Sequence, residues 1–277
     1  MSNINLWPCF SQEEADAVSN VLLSNKVNYW TGEEGKKFES EFANWCDTKY
    51  SVALANGSVA LEIALKALGI GPGDEVIVTP RSFIASVSCV ITAGAKPVFA
   101  DVDLNSGNIS PLSIKGLISK KTKAIICVHL AGFPCEMDEI ISLSLKKNLY
   151  VIEDCAQAHG AKYKGKPVGS IGHIGCWSFC QDKIMTTGGE GGMITTNDEN
   201  LWRKVWSIKD HGKSIQSVYE VKHPPGYRWL HDSFGSNSRM TEMQAAIGRI
   251  QLKSVGEWKD QRSKNAHTIN DVLKKYD

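Results

Sequence analysis

Hydrophobic and polar positions in the middle of the chain follow two alternating periodicities. Residues 58–68 read SVALEIALKAL, mostly good helix formers, and GIGPGD at 69–74 ends that helix with glycine and proline. Residues 75–78 read EVIV, which is rich in β-branched side chains and is closely followed by Pro80. This stretch predicts a helix followed by a short buried strand.

The alternation continues to residue 154. Further helices are predicted near 83–93, from Ser110 with Pro111 at the first helical position, and around 136–147; further strands are predicted at 97–101, 122–129 and 149–152. Strands joined by helical crossovers form a mostly parallel sheet with helices on both faces. The chain is therefore predicted to be an α/β protein of three layers, α/β/α, in which ligands bind at the carboxyl ends of the strands.

The last third of the chain is less regular. Two more strands are predicted at 175–180 and 192–196, joined by the glycine-rich TTGGEG at 186–191. Residues 213–238 contain prolines and clusters of glycine and serine and are predicted to be irregular. A long helical pattern then runs from about Thr241 toward the end.

The charge of the chain is nearly balanced, with 31 basic and 30 acidic residues among 277 and a formal net charge of +1. No overall field would gather nucleic acid or an anionic membrane surface, so an anionic ligand must be held by local groups. The start has no basic segment followed by an apolar one, and no apolar run reaches membrane-spanning length. We therefore expect a cytoplasmic protein without a nucleic-acid or membrane partner.

Eight cysteines are scattered along the chain without a Cys-x-x-Cys pair, at positions 9, 46, 89, 127, 135, 155, 176 and 180. Free buried thiols are the expected state in a cytoplasmic protein. His173, Cys176 and Cys180 are the nearest approach to a metal motif, but no second ligand pair follows them. No metal site is predicted.

Four polar features fall where strands are predicted to end. The first, Asn56-Gly57-Ser58, opens a helix, where free N–H groups and a partial positive charge suit a bound phosphate. An ordinary serine N-cap would give the same pattern.

In the second feature, Glu153 and Asp154 follow an apolar strand, and alternation sends their carboxylates to opposite faces. One acid could face a site while the other pairs elsewhere, although a capping acid is equally typical of such a junction.

The third feature is Lys183, which follows a predicted strand and enters the glycine-rich loop. A lysine is usually a solvated surface group, but one held in a dry site loses its proton more readily and can attack a carbonyl carbon. The fourth feature, GSNSRM at 235–240, directly precedes the long helix and is also typical of a helix-entry loop. None of the four features identifies a function by itself.

Together, five segments resemble the DegT/DnrJ/EryC1/StrS family of sugar aminotransferases, which are fold-type-I enzymes dependent on pyridoxal 5'-phosphate (PLP). In chain order they are GSVALEIALKALGIGPGDEVIV, SFIASVSCVITAGAKPVFADVD, EDCAQAHGA, SFCQDKIMTTGGEGGMITT and GSNSRMTEMQAAIGRIQL. The resemblance runs from Phe38-Glu39 to Leu252. Its motifs are specific for the family and not for one substrate.

The resemblance makes Lys183 and Asp154 the catalytic residues. Lys183 would hold PLP covalently as an internal aldimine and, once displaced by the amino donor, would shuttle the proton. Asp154 would pair with the pyridine nitrogen, because a protonated ring withdraws electrons more strongly. At about 4 Å a carboxylate attracts a pyridinium by on the order of 4 kcal/mol, against roughly 0.3–1 kcal/mol for a helix dipole. Family members that remove a sugar hydroxyl carry histidine at the lysine position, so Lys183 favours transamination.

The resemblance also implies contacts to each part of the cofactor. Gln157 would lie beside the phenolic oxygen, and Phe83 would cover one face of the ring. The residues around the phosphate would be Gly57, Ser58, Ser178 and, from the neighbouring subunit of a homodimer that shares the active site, Asn237.

These expectations define a reaction. The enzyme would transfer an amino group, with L-glutamate as donor, to a 3- or 4-keto-deoxysugar linked to a nucleoside diphosphate, for surface polysaccharide such as lipopolysaccharide O-antigen or for glycoside biosynthesis. Arg239 and His211 are cations available to the donor carboxylate or the sugar diphosphate, but both could serve as structural hydrogen-bond donors. His159 follows the turn at Gln157. We expect it to support residues that contact the cofactor and not to contact the cofactor itself.

Residues 1–240 are predicted to form a large PLP-binding domain with an N-terminal arm. Residues 241–277 are predicted to form a long helix leading to a small C-terminal domain that family chains carry and that this chain lacks. A PLP-binding or regulatory protein without turnover is therefore an alternative, and an amino-acid lyase of the same fold type is another. GIGPG at 69–73 follows a helix rather than a strand, so it does not indicate nicotinamide dinucleotide binding.

Overall fold

A seven-stranded sheet forms the centre of the protein, in a computed structural model that describes residues 7–223 and 231–276. Its strands are β1 Tyr50–Leu54, β2 Glu75–Val78, β3 Lys96–Phe99, β4 Thr122–Val128, β5 Tyr150–Asp154, β8 Ile174–Ser178 and β9 Gly192–Thr196, and a separate hairpin consists of β6 Lys162–Tyr163 and β7 Lys166–Pro167. The order across the sheet is β1-β9-β8-β5-β4-β2-β3. Strand β9 is antiparallel to both neighbours and the other pairs are parallel. The predicted mostly parallel sheet is confirmed.

Eight α-helices lie within the described residues: α1 Gln12–Leu23, α2 Glu34–Trp45, α3 Gly57–Ala67, α4 Ala85–Thr92, α5 Pro111–Leu117, α6 Met137–Lys147, α7 Glu199–Lys209 and α8 Glu242–Leu273. Helix α5 has Pro111 at its first position, as predicted, and α8 begins within one residue of the predicted Thr241; Ser110 and Thr241 are their N-caps. The elements that were not predicted are helices α1, α2 and α7, strand β1 and the hairpin strands β6 and β7. For α7 the signal was present, because Leu201, Val205 and Trp206 have the spacing of an apolar helix face.

Alternate residues of each strand point to opposite faces, so the sheet separates two layers of core. One face, which includes Ile126, Ile152 and Cys176, packs on α3, α4 and α7. On the other face, Trp177 and Met193 pack with side chains of α2 and α8, and Ile125 and Val151 pack with side chains of α5 and α6. The fold class is therefore α/β with three layers, α/β/α.

Helix α8 begins inside the core. Its buried residues include Ala245, Gly248 and Leu252, and its first half packs on α1 and α2. A side chain on Gly248 would place a Cβ 2.7 Å from the ring of Phe38, so this glycine permits the close approach of α8 to α2. The start of α8 thus shares its core with the residues before 240, and the predicted domain boundary there remains a prediction.

Three other expectations can be compared with the structure. All eight cysteines have free thiols; six are buried as predicted, whereas Cys9 is exposed and Cys180 is half-buried. The segment 213–238, predicted to be irregular, contains a π-helical turn at Gln216–Glu220, and its residues 224–230 lie outside the described residues. Within the described ranges, no helix is long and apolar enough to cross a membrane.

Candidate active site

The carboxyl ends of β1, β5 and β8 meet at one edge of the sheet. Ser178 at the end of β8 and Leu54 at the end of β1 both lie opposite Gly192 of β9, and Asp154 of β5 lies opposite Cys176 of β8. The fourth polar segment joins this edge through a hydrogen bond from the N–H of Ala55 to the carbonyl of Ser238, 3.0 Å. The structure therefore brings all four polar features together.

The start of α3 lies directly against the end of β8. A side chain on Gly57 would place its Cβ 2.6 Å from the Cβ of Ser178, so only glycine allows this approach. Asn56 caps the helix by accepting the N–H of Val59, 2.9 Å. The N–H groups of Gly57 and Ser58 have no hydrogen-bond acceptor among the described residues, which is the arrangement that suits a bound phosphate.

Asp154 is a buried carboxylate without a salt-bridge partner among the described residues. Its Oδ2 accepts the hydroxyl of Ser86 on α4, 2.7 Å, and its Oδ1 accepts the N–H of Ala156, 3.1 Å. It forms no salt bridge with any residue that the structure describes. Burial raises its pKa above the ordinary 3.8, and the two hydrogen bonds and the charges of His129 and Lys183 oppose that rise. Such a group fits a cationic ligand, and the nitrogen of a protonated pyridine is one.

Glu153 points to the opposite face and is fully partnered. Its carboxylate contacts His129 Nε2 at 3.0 Å and accepts the N–H groups of Gly169, Ile171 and Gly172. Burial acts to raise its pKa, but His129 and the amides hold it below the ordinary value. The sequence-based expectation that one acid faces the site while the other pairs elsewhere agrees with this geometry. His129, Glu153 and Cys155 lie within metal-binding reach of one another, but we assign no metal there because the carboxylate is already saturated.

Gln157 has a defined amide orientation. Its Oε1 accepts the N–H of Ala131, 2.7 Å, so the Nε2 group remains a donor that can face a phenolic oxygen. Ala131 itself lies in the left-handed region at φ +52°. Phe83, three residues before Ser86, is 69% exposed, so its ring face is open to a second ring.

Lys183 lies in the loop that follows β8, and its side chain is 18% exposed. Its Nζ is 3.0 Å from Asp182 Oδ2, so the ammonium is paired with its sequence neighbour. Its charge nevertheless lies close enough to lower the pKa of both Asp154 and His159. The lysine is therefore at the same edge as the uncompensated carboxylate.

His159 lies behind this edge. Its ring is buried between Trp177 and Phe179, with ring centroids 5.4 and 5.8 Å away, and neither nitrogen has a hydrogen-bond partner in the structure as described. Burial lowers its pKa to about 3, and the charge of Lys183 acts in the same direction. It is a neutral imidazole in an apolar pocket.

The remaining candidates lie on the segment after β9. Asn237 is exposed, and its backbone forms an isolated antiparallel β-bridge with Asp210. Its side chain is therefore available to contact another molecule. Arg239 donates to Asp210 Oδ1 at 2.7 Å, which gives it a structural role. His211 is exposed and has a positive φ of 58°.

Three contacts of the site have no local sequence signal. Ser86 bonds to Asp154 across 68 positions, Ala131 orients Gln157 across 26, and Trp7 Nε1 donates to the carbonyl of Lys183 across 176. An isolated serine, alanine or tryptophan gives no indication of such a contact. Only the folded chain brings these partners together.

Comparison with known proteins agrees with this geometry. The model of the DegT/DnrJ/EryC1/StrS aminotransferase family matches residues 8–277. GDP-perosamine synthase of Escherichia coli O157:H7 is 42% identical over 272 residues, which cover 97% of this chain and 69% of the synthase. Two other curated relatives are covered to 65% and 59% of their length, so the chain spans about two thirds of the proteins it matches.

Solved structures give the same picture. An aminotransferase from Psychrobacter cryohalolentis is 67% identical with a TM-score of 0.97, covering 98% of this chain and 69% of that one. A sugar aminotransferase from Streptococcus pneumoniae in its PLP form is 26% identical with a TM-score of 0.82, covering 91% and 66%. The same pneumococcal protein has also been solved in its PMP form.

Proposed function

The chain belongs to the DegT/DnrJ/EryC1/StrS aminotransferase family, and from this premise we propose that it transfers an amino group to a keto-deoxysugar linked to a nucleoside diphosphate. One observation carries the proposal. Lys183, the uncompensated carboxylate of Asp154 and the phosphate seat at Gly57 and Ser178 meet at one sheet edge. The activity named for the Escherichia coli relative supports the substrate class.

PLP fits this edge by the chemistry of its donor groups. When bound, it supplies an aromatic ring that withdraws electrons from a bond of the substrate's α-carbon, the carbon that carries the amino group. Asp154 would hold a proton on the ring nitrogen, because a buried carboxylate is stabilised by a neighbouring positive charge. Gln157 would donate to the phenolic oxygen, and Phe83 would cover the exposed ring face.

The phosphate end would be held by three kinds of group. The N–H groups of Gly57 and Ser58 offer donors at a helix start, Ser178 offers a hydroxyl, and Asn237 of a second subunit would complete the shell. With a net charge of only +1, the chain provides no general attraction for a dianion, so these local donors must hold it.

Lys183 would have two tasks. Its Nζ would form the covalent bond to the aldehyde carbon of the cofactor, and as a free amine it would take up and return the proton that moves during transamination. L-glutamate as donor, a homodimer with a shared site and a cytoplasmic location belong to the same proposal. The alternative is a PLP-binding or regulatory protein without turnover, and one relative is named a pleiotropic regulatory protein. We favour transamination because Lys183 and Asp154 are both present and other relatives are named as sugar-nucleotide transaminases.

The decisive experiment is chemical labelling. The chain is incubated with PLP, reduced with borohydride, digested and mapped by mass spectrometry, with Lys183→Ala as the matched control. We expect the label on Lys183 alone and none in the variant. Label on another lysine, or no label, contradicts the proposal.

A second measurement separates transamination from a lyase reaction. L-Glutamate is added to the PLP-loaded chain, and absorbance is followed together with analysis of the released keto acid. Conversion to pyridoxamine phosphate with one keto acid released supports transamination. A panel of keto-sugar nucleotides then identifies the acceptor.

A further inference from the structure

The backbone of the loop at 179–191, which carries Lys183, is attached to two distant parts of the chain. The first attachment is Trp7, whose indole Nε1 donates to the carbonyl oxygen of Lys183 at 2.9 Å. The ring of Trp7 also lies edge-to-face with Trp258 of α8, 5.3 Å between centroids, and under the guanidinium of Arg262 at 5.1 Å. The segment before α1 thus connects α8 with the cofactor lysine.

The second attachment is a chain of buried hydrogen bonds. The N–H of Thr186 donates to Gln251 Oε1 at 2.8 Å, and Gln251 Nε2 donates to Glu14 Oε1 at 2.7 Å. Glu14 Oε2 in turn accepts the N–H and the hydroxyl of Ser11, which caps α1. Glu14, Gln251 and Thr186 are all buried. We call these three residues the relay.

The donors and acceptors of the relay can be arranged in only one direction. The carbonyl oxygen of Gln251 must face the N–H of Thr186, so its NH2 group must face an acceptor, and the carboxylate of Glu14 is that acceptor. Glu14 forms no salt bridge with any residue in the described ranges. A buried carboxylate kept without a counter-ion indicates that its acceptor role matters at this place.

Beyond Thr186 the relay fixes the loop itself. The hydroxyl of Thr186 donates to the carbonyl of Phe179 and accepts the N–H of Gly189, so one residue ties both ends of the loop. Met185 and Thr187 on either side are buried. Between this anchor and the contact to Trp7, the backbone at Lys183 has little room to move.

We propose that Trp7, Glu14 and Gln251 are positioning residues for Lys183, holding its backbone so that only its side chain moves during the reaction. The inference rests on the proposed function, since it assumes that Lys183 carries the cofactor. A lysine side chain has several rotatable bonds, so the position of its backbone decides which points its Nζ can reach. A shift of about 1 Å at a reacting group can lower a rate roughly a hundredfold.

The test exchanges the side chains of Glu14 and Gln251. In Glu14→Gln alone, two donor NH2 groups face each other. In Gln251→Glu alone, two acceptor carboxylates face each other. In the double variant, the amide introduced at position 14 would accept from Ser11 and donate to the carboxylate introduced at position 251. The second oxygen of that carboxylate would accept the N–H of Thr186, so every bond is restored and only the bond between positions 14 and 251 has its polarity reversed. Gln261→Glu, at an exposed position of the same helix, is the control for the charge change.

Each PLP-loaded chain is compared by the visible circular dichroism of the lysine-bound cofactor and by the rate constant of the half-reaction with L-glutamate. We expect each single variant to lose roughly tenfold or more in rate and to change its dichroic band, and the double variant to recover most of both. A double variant that remains as impaired as the singles overturns the relay.

Trp7→Phe provides a test that does not disturb the core. Phenylalanine keeps a ring against Trp258 but cannot donate to the carbonyl of Lys183. We expect a changed dichroic band and a lower rate at unchanged thermal stability, whereas Trp202→Phe, at a half-buried position on α7, should change neither the band nor the rate. An unchanged band and rate in Trp7→Phe overturn the role of Trp7.

The two proposals can fail separately. If borohydride labels no residue in the unaltered chain, both fall. If it labels Lys183 while the variants keep the unaltered band and rate, the positioning role falls and the proposed function stands.

Discussion

Asp154 has the clearest electrostatic signature at the level of single residues. Its carboxylate is buried, accepts hydrogen bonds from Ser86 and Ala156, and has a raised pKa because burial disfavours its charge. A cation placed beside it would remove that penalty. The residue is therefore suited to hold a protonated pyridine, and its charge rather than its shape should be essential.

Asp154→Asn tests this charge with almost no change in shape. We expect the variant to bind PLP at Lys183 but to carry out the half-reaction with L-glutamate roughly a hundredfold more slowly or worse, because on the order of 4 kcal/mol of attraction to the ring nitrogen is lost. Stopped-flow absorbance measures the rate. Asp138→Asn, at an exposed position on α6, should react normally. A normal rate in Asp154→Asn would contradict its electronic role.

The lowered pKa of His159 leads to a prediction of how the stability of the chain depends on pH. Its pKa is about 3 in the folded chain, against an ordinary 6.5, because the ring is buried. Between these values the unfolded chain takes up a proton that the folded chain does not. The contribution of His159 to stability is therefore fully present above pH 6.5 and is lost as the pH falls toward 3.

His159→Phe removes this dependence and suits a pocket formed by Trp177 and Phe179. From about pH 7 to about pH 4 the unaltered chain should lose more free energy of unfolding than the variant, by up to on the order of 3 kcal/mol. Urea unfolding at both pH values measures the difference, and His267→Gln, at an exposed position on α8, serves as the control. Equal losses in the two chains would show that His159 is not kept neutral by the fold.

At the level of elements, the contact between α3 and β8 forms the proposed phosphate seat. The helix start can lie against Ser178 only because residue 57 has no side chain. A methyl group there would have to push the first turn of α3 away from the strand end. The free N–H groups of that turn would move with it.

Gly57→Ala is expected to lower PLP affinity roughly tenfold or more, which corresponds to about 1.4 kcal/mol of lost binding free energy. Gly116→Ala on α5 is the matched control, because a Cβ there meets nothing within 4 Å. The control should keep its affinity and gain about 0.4–1 kcal/mol of stability. Fluorescence titration with PLP and urea unfolding measure the two effects. Unchanged affinity in Gly57→Ala would remove the phosphate seat from the proposal.

At the level of the whole molecule, the site is predicted to be completed by a second copy of the chain. Three apolar side chains on the segments after β2 and β4 are exposed, Phe83, Ile84 and Phe133, which supports a covered surface there. The side chain of Asn237 is exposed as well. A shared site would explain why an asparagine proposed to bind phosphate projects into solvent in the single chain.

Mixed dimers test the shared site. Chains carrying Lys183→Ala and Asn237→Ala are coexpressed with different tags and purified through both. One site of the mixed dimer then combines an intact Lys183 with an intact Asn237, so we expect about one tight PLP site per two chains. Neither parent dimer should have a tight covalent site. A mixed dimer no better than the Asn237→Ala parent would place Asn237 outside the partner's site.

The sequence by itself determined the polar residues that follow the strands and, apart from the β6–β7 hairpin, the order of strands and helices from 58 to 196. Both are local: β-branched runs, caps and glycine-rich turns depend on neighbouring residues. Because parallel strands end at a common edge, Lys183, Asp154 and the helix start at Gly57 were expected near that edge, and the family resemblance assigned them to one site.

Only the tertiary structure decided which groups complete that site. Ser86 meets Asp154, Trp7 meets Lys183, and Gln251 meets Glu14 across 237 positions. Lys209 gives a similar example, because in sequence it is an ordinary helical lysine, yet it is buried beside Glu39. Hydrogen-bond partners and burial depend on how distant segments pack, and a pattern of neighbouring residues carries no information about that packing.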